Sequence, residues 1–490
     1  MKIQSQFRTI ELLGAGAMAM LWLSLIGTAS PLLGQTLEDQ LAKHQRAAQQ
    51  AEARQDFAAA VQEYEWIVRR VPDSAEVESN LGVALYFNNQ HEQAAAACRR
   101  AIALKFNLYT PHLFLGLALA QLSHSDKAVS ELEKAIQINA QDPLAHEWLG
   151  YEYMAVGRYE DAITQLETAS VVKAEDIDIW YALGRSYLES GKAATRRLVK
   201  TYPDGGRTWQ LAAEQAKLQD NRSRALHLYQ AANKRRPDIE AVRDEIVALG
   251  GVPPETVVKE PAPATTEDEL YQSVSNFEQR ARDAFSRISR IDPDSYRVHE
   301  IAADGESAAG NYDDAIRDYT LALQRKPNIP GVHEALCNAL MRVAKPHEAI
   351  KECEAEIALF PRNSDAYVET ARVYLLMDDY DHAGPLLQKA ATLGHPPPSI
   401  NKLLGKLYLH QKQYPDAIKA FNQYLMVEAR DSSAYILLAK CYKSVGDAKR
   451  MNEAIAVYKK ISAEARGSSE AQQALDQSSG DDKAEVSENL

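Results

Sequence analysis

At 490 residues the chain is too long for one hydrophobic core, and its formal net charge of −13 argues against broad nucleic-acid binding. Hydrophobic residues at 46% and charged residues at 25% are those of an ordinary soluble protein, so a repeat array or several domains is the starting expectation. Tyrosine outnumbers phenylalanine 23 to 9, which suits half-buried positions where a ring packs and its hydroxyl stays wet.

The chain opens on Lys2 and Arg8, an apolar run from Leu12 to Gly27, and the small residues Thr28, Ala29, Ser30 and Gly34. That order matches an export signal over residues 1–34. Residues 12–33 are also long enough for an uncleaved anchor. The expected location is therefore periplasmic or secreted, with membrane contact only if that segment stays attached.

From residue 37 a fixed step of 34 takes over. Gly82, Gly116, Gly150 and Gly184 form one ladder, and Ala303, Cys337, Ala371, Gly405 and Ala439 form another. Twelve residues after most of these stand Ala94, Ala128, Ala162, Ala315, Ala349, Ala383 and Ala417, with Ala60 one step earlier. Four residues further on come larger side chains: Tyr64, Cys98, Leu132, Leu166, Tyr319, Cys353, Leu387 and Phe421. Small residues at both helix positions suit two helices that cross closely, each with an apolar stripe of helical period.

This pattern resembles the tetratricopeptide repeat (TPR), in the form found in exported bacterial proteins. The clearest matches are Trp148 to Tyr153 followed by Ala162 and Leu166, and Leu404, Gly405 and Tyr408 followed by Ala417 and Phe421. The resemblance implies an all-α fold, a right-handed α-solenoid of stacked helix-turn-helix units.

The two ladders are out of phase, since Gly184 to Ala303 is three and a half steps. The unit from Ile177 is expected to be short, with a truncated second helix over Ala193 to Tyr202. A complete unit follows from Gly206, and Ile239 to Leu249 reads as a capping helix. Pro253, Pro254, Pro261 and Pro263 then suggest an extended linker over 251–266. The expected organisation is two arrays, 37–250 and 267–462, that touch little, the second opened by one long helix ending at Ile291. An acidic tail over 463–490 is expected to be disordered.

The usual chemical motifs are missing. Cys98, Cys337, Cys353 and Cys441 fall at helix packing positions and read as buried thiols. His112, His146, His299 and His333 share the fourth position of their units and read as packing residues, not as metal ligands. Gly305 to Ala309 misses the nucleophile-elbow pattern by one glycine and lies within a helix. No catalytic residue, cofactor or metal is expected. Some tetratricopeptide domains clamp a terminal carboxylate through Lys and Asn. Asn80 fits, but Gln45, Thr110 and Phe114 hold the places of its basic partners, so no such clamp is expected in 37–250.

The second, fifth, ninth, twelfth and thirteenth residues of each first helix share one face, the concave side of such a solenoid. In the first array that face carries Tyr86, Phe87, Leu113, Leu117, Tyr151, Met154, Tyr181 and Leu188, side-chain types that anchor peptides or helices. In the second it starts with Glu300, Asp304 and Glu334, then turns basic with Arg372, Lys402, Lys406, Lys440 and Lys443. That basic end suits a carboxylate-rich segment, the chain's own acidic tail being one candidate. The sequence thus points to an extracytoplasmic scaffold that holds peptide or protein segments in its grooves. The alternative is an accessory subunit of an envelope secretion, cell-wall or polymer-export complex.

Overall fold

A computed structural model describes residues 31–252, 265–393 and 396–463. Most of the expected export signal, the proline-rich 253–264 and the acidic tail beyond 463 lie outside the described residues. Every regular element among the described residues is helical, and none of these helices is long and apolar enough to cross a membrane. The chain divides into two compact units, Met1–Ala118 and Leu119–Leu490.

The first unit stacks α1 (Pro31–Ala53), α2 (Phe57–Val68), α3 (Ala75–Phe87) and α4 (His91–Leu104), each against the next. Asp56 and Ser74 cap α2 and α3 by accepting backbone N–H bonds, at 3.1 and 3.3 Å, and so satisfy donors that a helix start leaves open. Helix α5 (Tyr109–Gln121) spans the division between the units. The second unit continues with α6 (Ser125–Ile138), α7 (Pro143–Ala155), α8 (Tyr159–Val172) and α9 (Ile177–Thr201).

Helix pairs form where the ladders place them. The alanines of the second helices, including Ala94, Ala162, Ala315 and Ala417, are fully buried. Three first-helix glycines face the large residue four places after that alanine: a Cβ on Gly82 would strike Cys98, one on Gly150 would strike Leu166, and one on Gly405 would strike Phe421. The turn between paired helices repeats as well. Left-handed backbone occurs at Asn89, Ser123 and Gly157, and again at Gly310, Ala344, Asp378, Lys412 and Gly446. Such a residue costs an L-amino acid roughly 1–2 kcal/mol. The cost is offset where the next amide reaches back to close the helix end, as Lys345 N–H does to Leu340 (2.9 Å) and Gln413 N–H to Tyr408 (2.9 Å).

One step of that turn ladder is missing. Gly191 stands 34 residues after Gly157, yet the helix runs straight through it, so α9 is a single helix of 25 residues. Its packing partner is not the short second helix expected at 193–202. It is α13 (Thr266–Ile291), which follows α10 (Gly206–Leu218), α11 (Arg222–Arg235) and α12 (Glu240–Ala248). The Phe285 ring lies where a Cβ on Gly184 would be, as Leu166 does at Gly150. At Gly191 the backbone of α13 comes so near that a Cβ would touch the Cβ of Phe277 at 3.4 Å. Helix α13 begins with a capping box in which Thr265 and Asp268 satisfy each other's amides.

The next first helix, α14 (Tyr296–Ala309), restores the register. Side-chain contacts join α9 to α14, among them Tyr181–Glu300, Arg185–Asp304 and Asp178–Arg297, and each of these spans 119 residues. That is one 34-residue step plus an excursion of 85. The expected two arrays therefore do not part at 251–266. Helix α13 packs along α9, and its start is tied to the excursion by Arg207–Asp268 (2.6 Å), Arg236–Asp268 (3.2 Å) and Gln210–Tyr271 (2.7 Å). Leu198, Leu211 and Val274 bury a small core beneath these bonds.

Beyond α14 the pairs are regular: α15 (Tyr312–Arg325), α16 (Val332–Arg342), α17 (Pro346–Leu359), α18 (Ser364–Leu376), α19 (Tyr380–Thr392), α20 (Ser399–His410), α21 (Tyr414–Leu425) and α22 (Ser432–Ser444). A further helix covers 448–463. One expectation fails here for a local reason. Cys337 and Cys353 are not thiols but a disulfide, because they occupy the facing positions that Gly82 and Cys98 hold elsewhere, with Cα atoms 5.5 Å apart. Cys98 and Cys441 are free and buried, as expected.

Candidate functional site

The apolar face expected in the first array is largely occupied by its own neighbours. In the first unit Tyr86, Leu113 and Leu117 are buried, so they do not line an open groove. Phe87 is half-buried between Phe57 and Phe114, with ring centroids 5.1 and 5.6 Å away. In the second unit Tyr151 donates its hydroxyl to Glu147 (3.2 Å), and burial pushes its phenol well above the ordinary range. Met154 is half-buried and Leu188 is exposed on α9. Tyr181 donates to Glu300 (2.7 Å) beneath the guanidinium of Arg297, 4.0 Å from its ring centre. Arg297 also grips Asp178 (2.7 Å) and Glu300 (2.5 Å). These groups hold α9 to α14, a stacking role for which sequence position alone gave no sign.

The fourth-position residues join each unit to the loop before it. His112, His146 and His333 reach the carbonyls of Phe106, Ala140 and Pro327 at 2.8, 3.1 and 3.0 Å, always six residues back. Trp180 and Tyr367 donate to Ala174 and Pro361 in the same way. The other imidazole nitrogen of His146 and His333 meets Gln165 and Glu352 on the paired helix, both at 2.7 Å. Among the described residues no three His, Cys, Asp or Glu side chains are arranged to hold a metal ion.

The basic face behaves differently. Ser307, Tyr312, Asn338, Ala339, Arg342, Glu369 and Arg372 surround a recess of about 380 Å³, open along the first helices α14, α16 and α18. Arg372 is paired with Glu369 at 3.0 Å. Arg342 stands 5.9 Å from the Tyr312 ring centre. One unit further on, Lys402 is neutralised by Asp431 at 2.5 Å, an aspartate that also caps α22. Lys406 is half-buried with no ion pair or hydrogen bond among the described residues. Burial, then the charges of Lys402 and Arg372, lower its pKa, while Asp431 opposes them. The structure thus brings Arg372, Lys402 and Lys406 together, and leaves Lys440 and Lys443 exposed on α22. The sequence reading named neither Arg342 nor Asn338, although Asn338 shares the ninth position with Arg372 and Lys406.

The acidic start of the face is equally distinct. Glu334 is pushed up to about 7, by burial first and then by Glu369, Asp365 and Glu356, against the pull of Arg372. The groove is therefore polar along its length, carboxylates at α16 and unneutralised ammonium at α20.

Family comparisons match residues 150–191 to a TPR repeat model, and residues 46–105, 110–142 and 378–435 to tetratricopeptide repeat models. The chain is 33% identical over 78 residues to the DnaJ homolog subfamily C member 3 of Gallus gallus, which is 15% of this chain and 16% of that one. It is 26% identical over 99 residues to the heat shock protein sti1 homolog of Schizosaccharomyces pombe, 20% of this chain and 17% of that one. The chain therefore spans about a sixth of the length of these curated relatives. Among solved structures, MamA is similar at 23% identity, with a TM-score of 0.30, over 34% of this chain and 89% of that one. Repeating matches of one family, laid on helix pairs with one repeating contact and one repeating turn, show that this chain carries tetratricopeptide repeats.

Proposed function

We propose that this protein is an extracytoplasmic scaffold that holds segments of other proteins along the inner face of α14–α22. The recess lined by Arg342, Asn338 and Arg372 carries this reading, because three successive first helices present polar side chains to it. The export-type N-terminus and a Cys337–Cys353 disulfide both suit an oxidising compartment. A photo-crosslinking residue placed at Asn338, in cells expressing the full chain, is the test. Capture of a defined protein outside the cytoplasm is the expected result. Partners captured equally well from a convex position such as Lys419 would refute it. Location is read separately: Cys337 and Cys353 should resist alkylation until a reductant is added to intact cells.

A further inference from the structure

We infer that the groove segment from Arg342 through Arg372 to Lys406 is a site for a carboxylate-rich polypeptide segment. This rests on the groove-binding reading above and narrows it to one ligand chemistry. The recess supplies donors from four side-chain types, the guanidinium groups of Arg342 and Arg372, the Asn338 amide, and the Ser307 and Tyr312 hydroxyls. A space of about 380 Å³ admits a few side chains of an extended strand and not a folded domain.

Charge decides which side chains enter. Of the three cations gathered at α18 and α20, two already have carboxylates: Arg372 has Glu369, and Lys402 has Asp431. Lys406 has none, although it is half-buried between them. A half-buried ammonium without a counter-ion costs free energy, and an incoming carboxylate recovers it. Arg342 likewise has no ion pair among the described residues. Glu334 on α16 edges the other end, and Glu369 on α18 is already taken up by Arg372, so acidic side chains are disfavoured at α16 and held toward Lys406 on α20. That polarity gives the bound segment a direction, acidic residues toward α20.

The geometry separates this site from the charge of the whole chain. A net charge of −13 repels acidic peptides in general, so binding must come from a local cluster. Lys419, on α21 and outside the groove, is an exposed control for the same change of charge.

The test is fluorescence anisotropy with the full chain and a labelled peptide of eight glutamates separated by glycines. A matching glutamine peptide is the neutral control. The expected result is saturable binding of the glutamate peptide, about tenfold weaker when salt is raised from 0.05 to 0.3 M, with the glutamine peptide weaker still. Lys406→Glu should weaken binding about tenfold and Lys406→Gln about threefold. Lys419→Glu should leave it within about twofold. Matching circular dichroism melts keep the variants comparable, and Lys406→Gln serves if the glutamate variant misfolds. Equal loss from Lys419→Glu, or equal binding of the glutamine peptide, would overturn the assignment. So would full displacement by inorganic phosphate or phosphatidylglycerol vesicles at the same charge concentration, which would mark a general anion site. A crosslinked partner seated on α14–α22 through a segment without carboxylates would overturn this inference and leave the scaffold reading standing.

Discussion

Two repeats of the second unit do the same packing in opposite ways. In α7–α8 the first helix, the turn at Gly157 and the second helix follow one another, and Leu166 fills the space at Gly150. In α9–α13 the corresponding contact, Phe285 at Gly184, joins residues 101 apart, 85 more than the 16 of the local pair. The lesson is that a repeat is defined by which surfaces fit, not by which residues are consecutive. Gly184 accepts a ring from any helix that presents one at the right height.

The largest test of this equivalence cuts the chain. A protease site inserted between 255 and 262 should, once cleaved, leave two fragments that still elute together on gel filtration, because α13 stays packed on α9. Fragments that separate under native conditions would show that α9–α13 is a loose association and not a repeat.

A second test compares side chains. Leu166→Ala removes a fully buried residue and should cost about 3 kcal/mol in urea unfolding. Phe285→Ala should cost about 2–4 kcal/mol if the split repeat is a true counterpart. A loss below about 0.5 kcal/mol, the range of ordinary surface substitutions, would break the comparison.

The pair α16–α17 sharpens it further, because there the same facing positions are joined covalently. Closing a loop of about 15 residues stabilises by about 3 kcal/mol in the chain-entropy picture. Cys337→Ser with Cys353→Ser should therefore lower stability by about 2–3 kcal/mol, and adding reductant to the parent should reproduce most of that loss. No response to reductant would mean that packing alone suffices, as it does at Gly150 and Leu166.

The smallest effect separates Glu300 from Glu334, which hold the same place one step apart. Glu300 is paired with Arg297 and Tyr181, whereas Glu334 faces other carboxylates. Its pKa is higher in the folded chain, about 7, than the ordinary 4.5, so the folded state holds the proton more tightly. That contribution is complete below about 4.5 and is lost as pH rises to about 7. The second unit should melt at lower temperature at pH 8 than at pH 5, and Glu334→Gln should flatten the slope. An unchanged slope would place the titration elsewhere.

Much of this was legible in residue spacing and some was not. The 34-residue step announced the helix pairs, because small residues at Gly150 and Ala162 are demanded wherever two helices cross. The same spacing put Arg372 and Lys406 in one column. The split repeat was half-visible. Gly184 to Ala303 showed a phase error of three and a half steps, but equally fits one step plus 85, and only Phe285 seated at Gly184 decides between them. A proline-rich stretch reads as a boundary, yet chain composition between two helices says nothing about whether those helices pack. The disulfide was readable in principle, since 16 residues separate Cys337 from Cys353 and Gly82 from Cys98 alike. The groove's decisive asymmetry was not, because Asp431, which neutralises Lys402 but not Lys406, lies 29 residues away at a helix cap.

The chain leaves the stack after Thr201 and rejoins it at Thr266. Because the chain leaves the stack and re-enters it within a single helix pair, the repeats on either side never register the length of what lies between. Such a position is a port: material grafted there has both ends anchored close together, the condition under which inserted domains are tolerated. The excursion through α10–α12 is one such graft, and another of different size could replace it while the groove downstream kept its register.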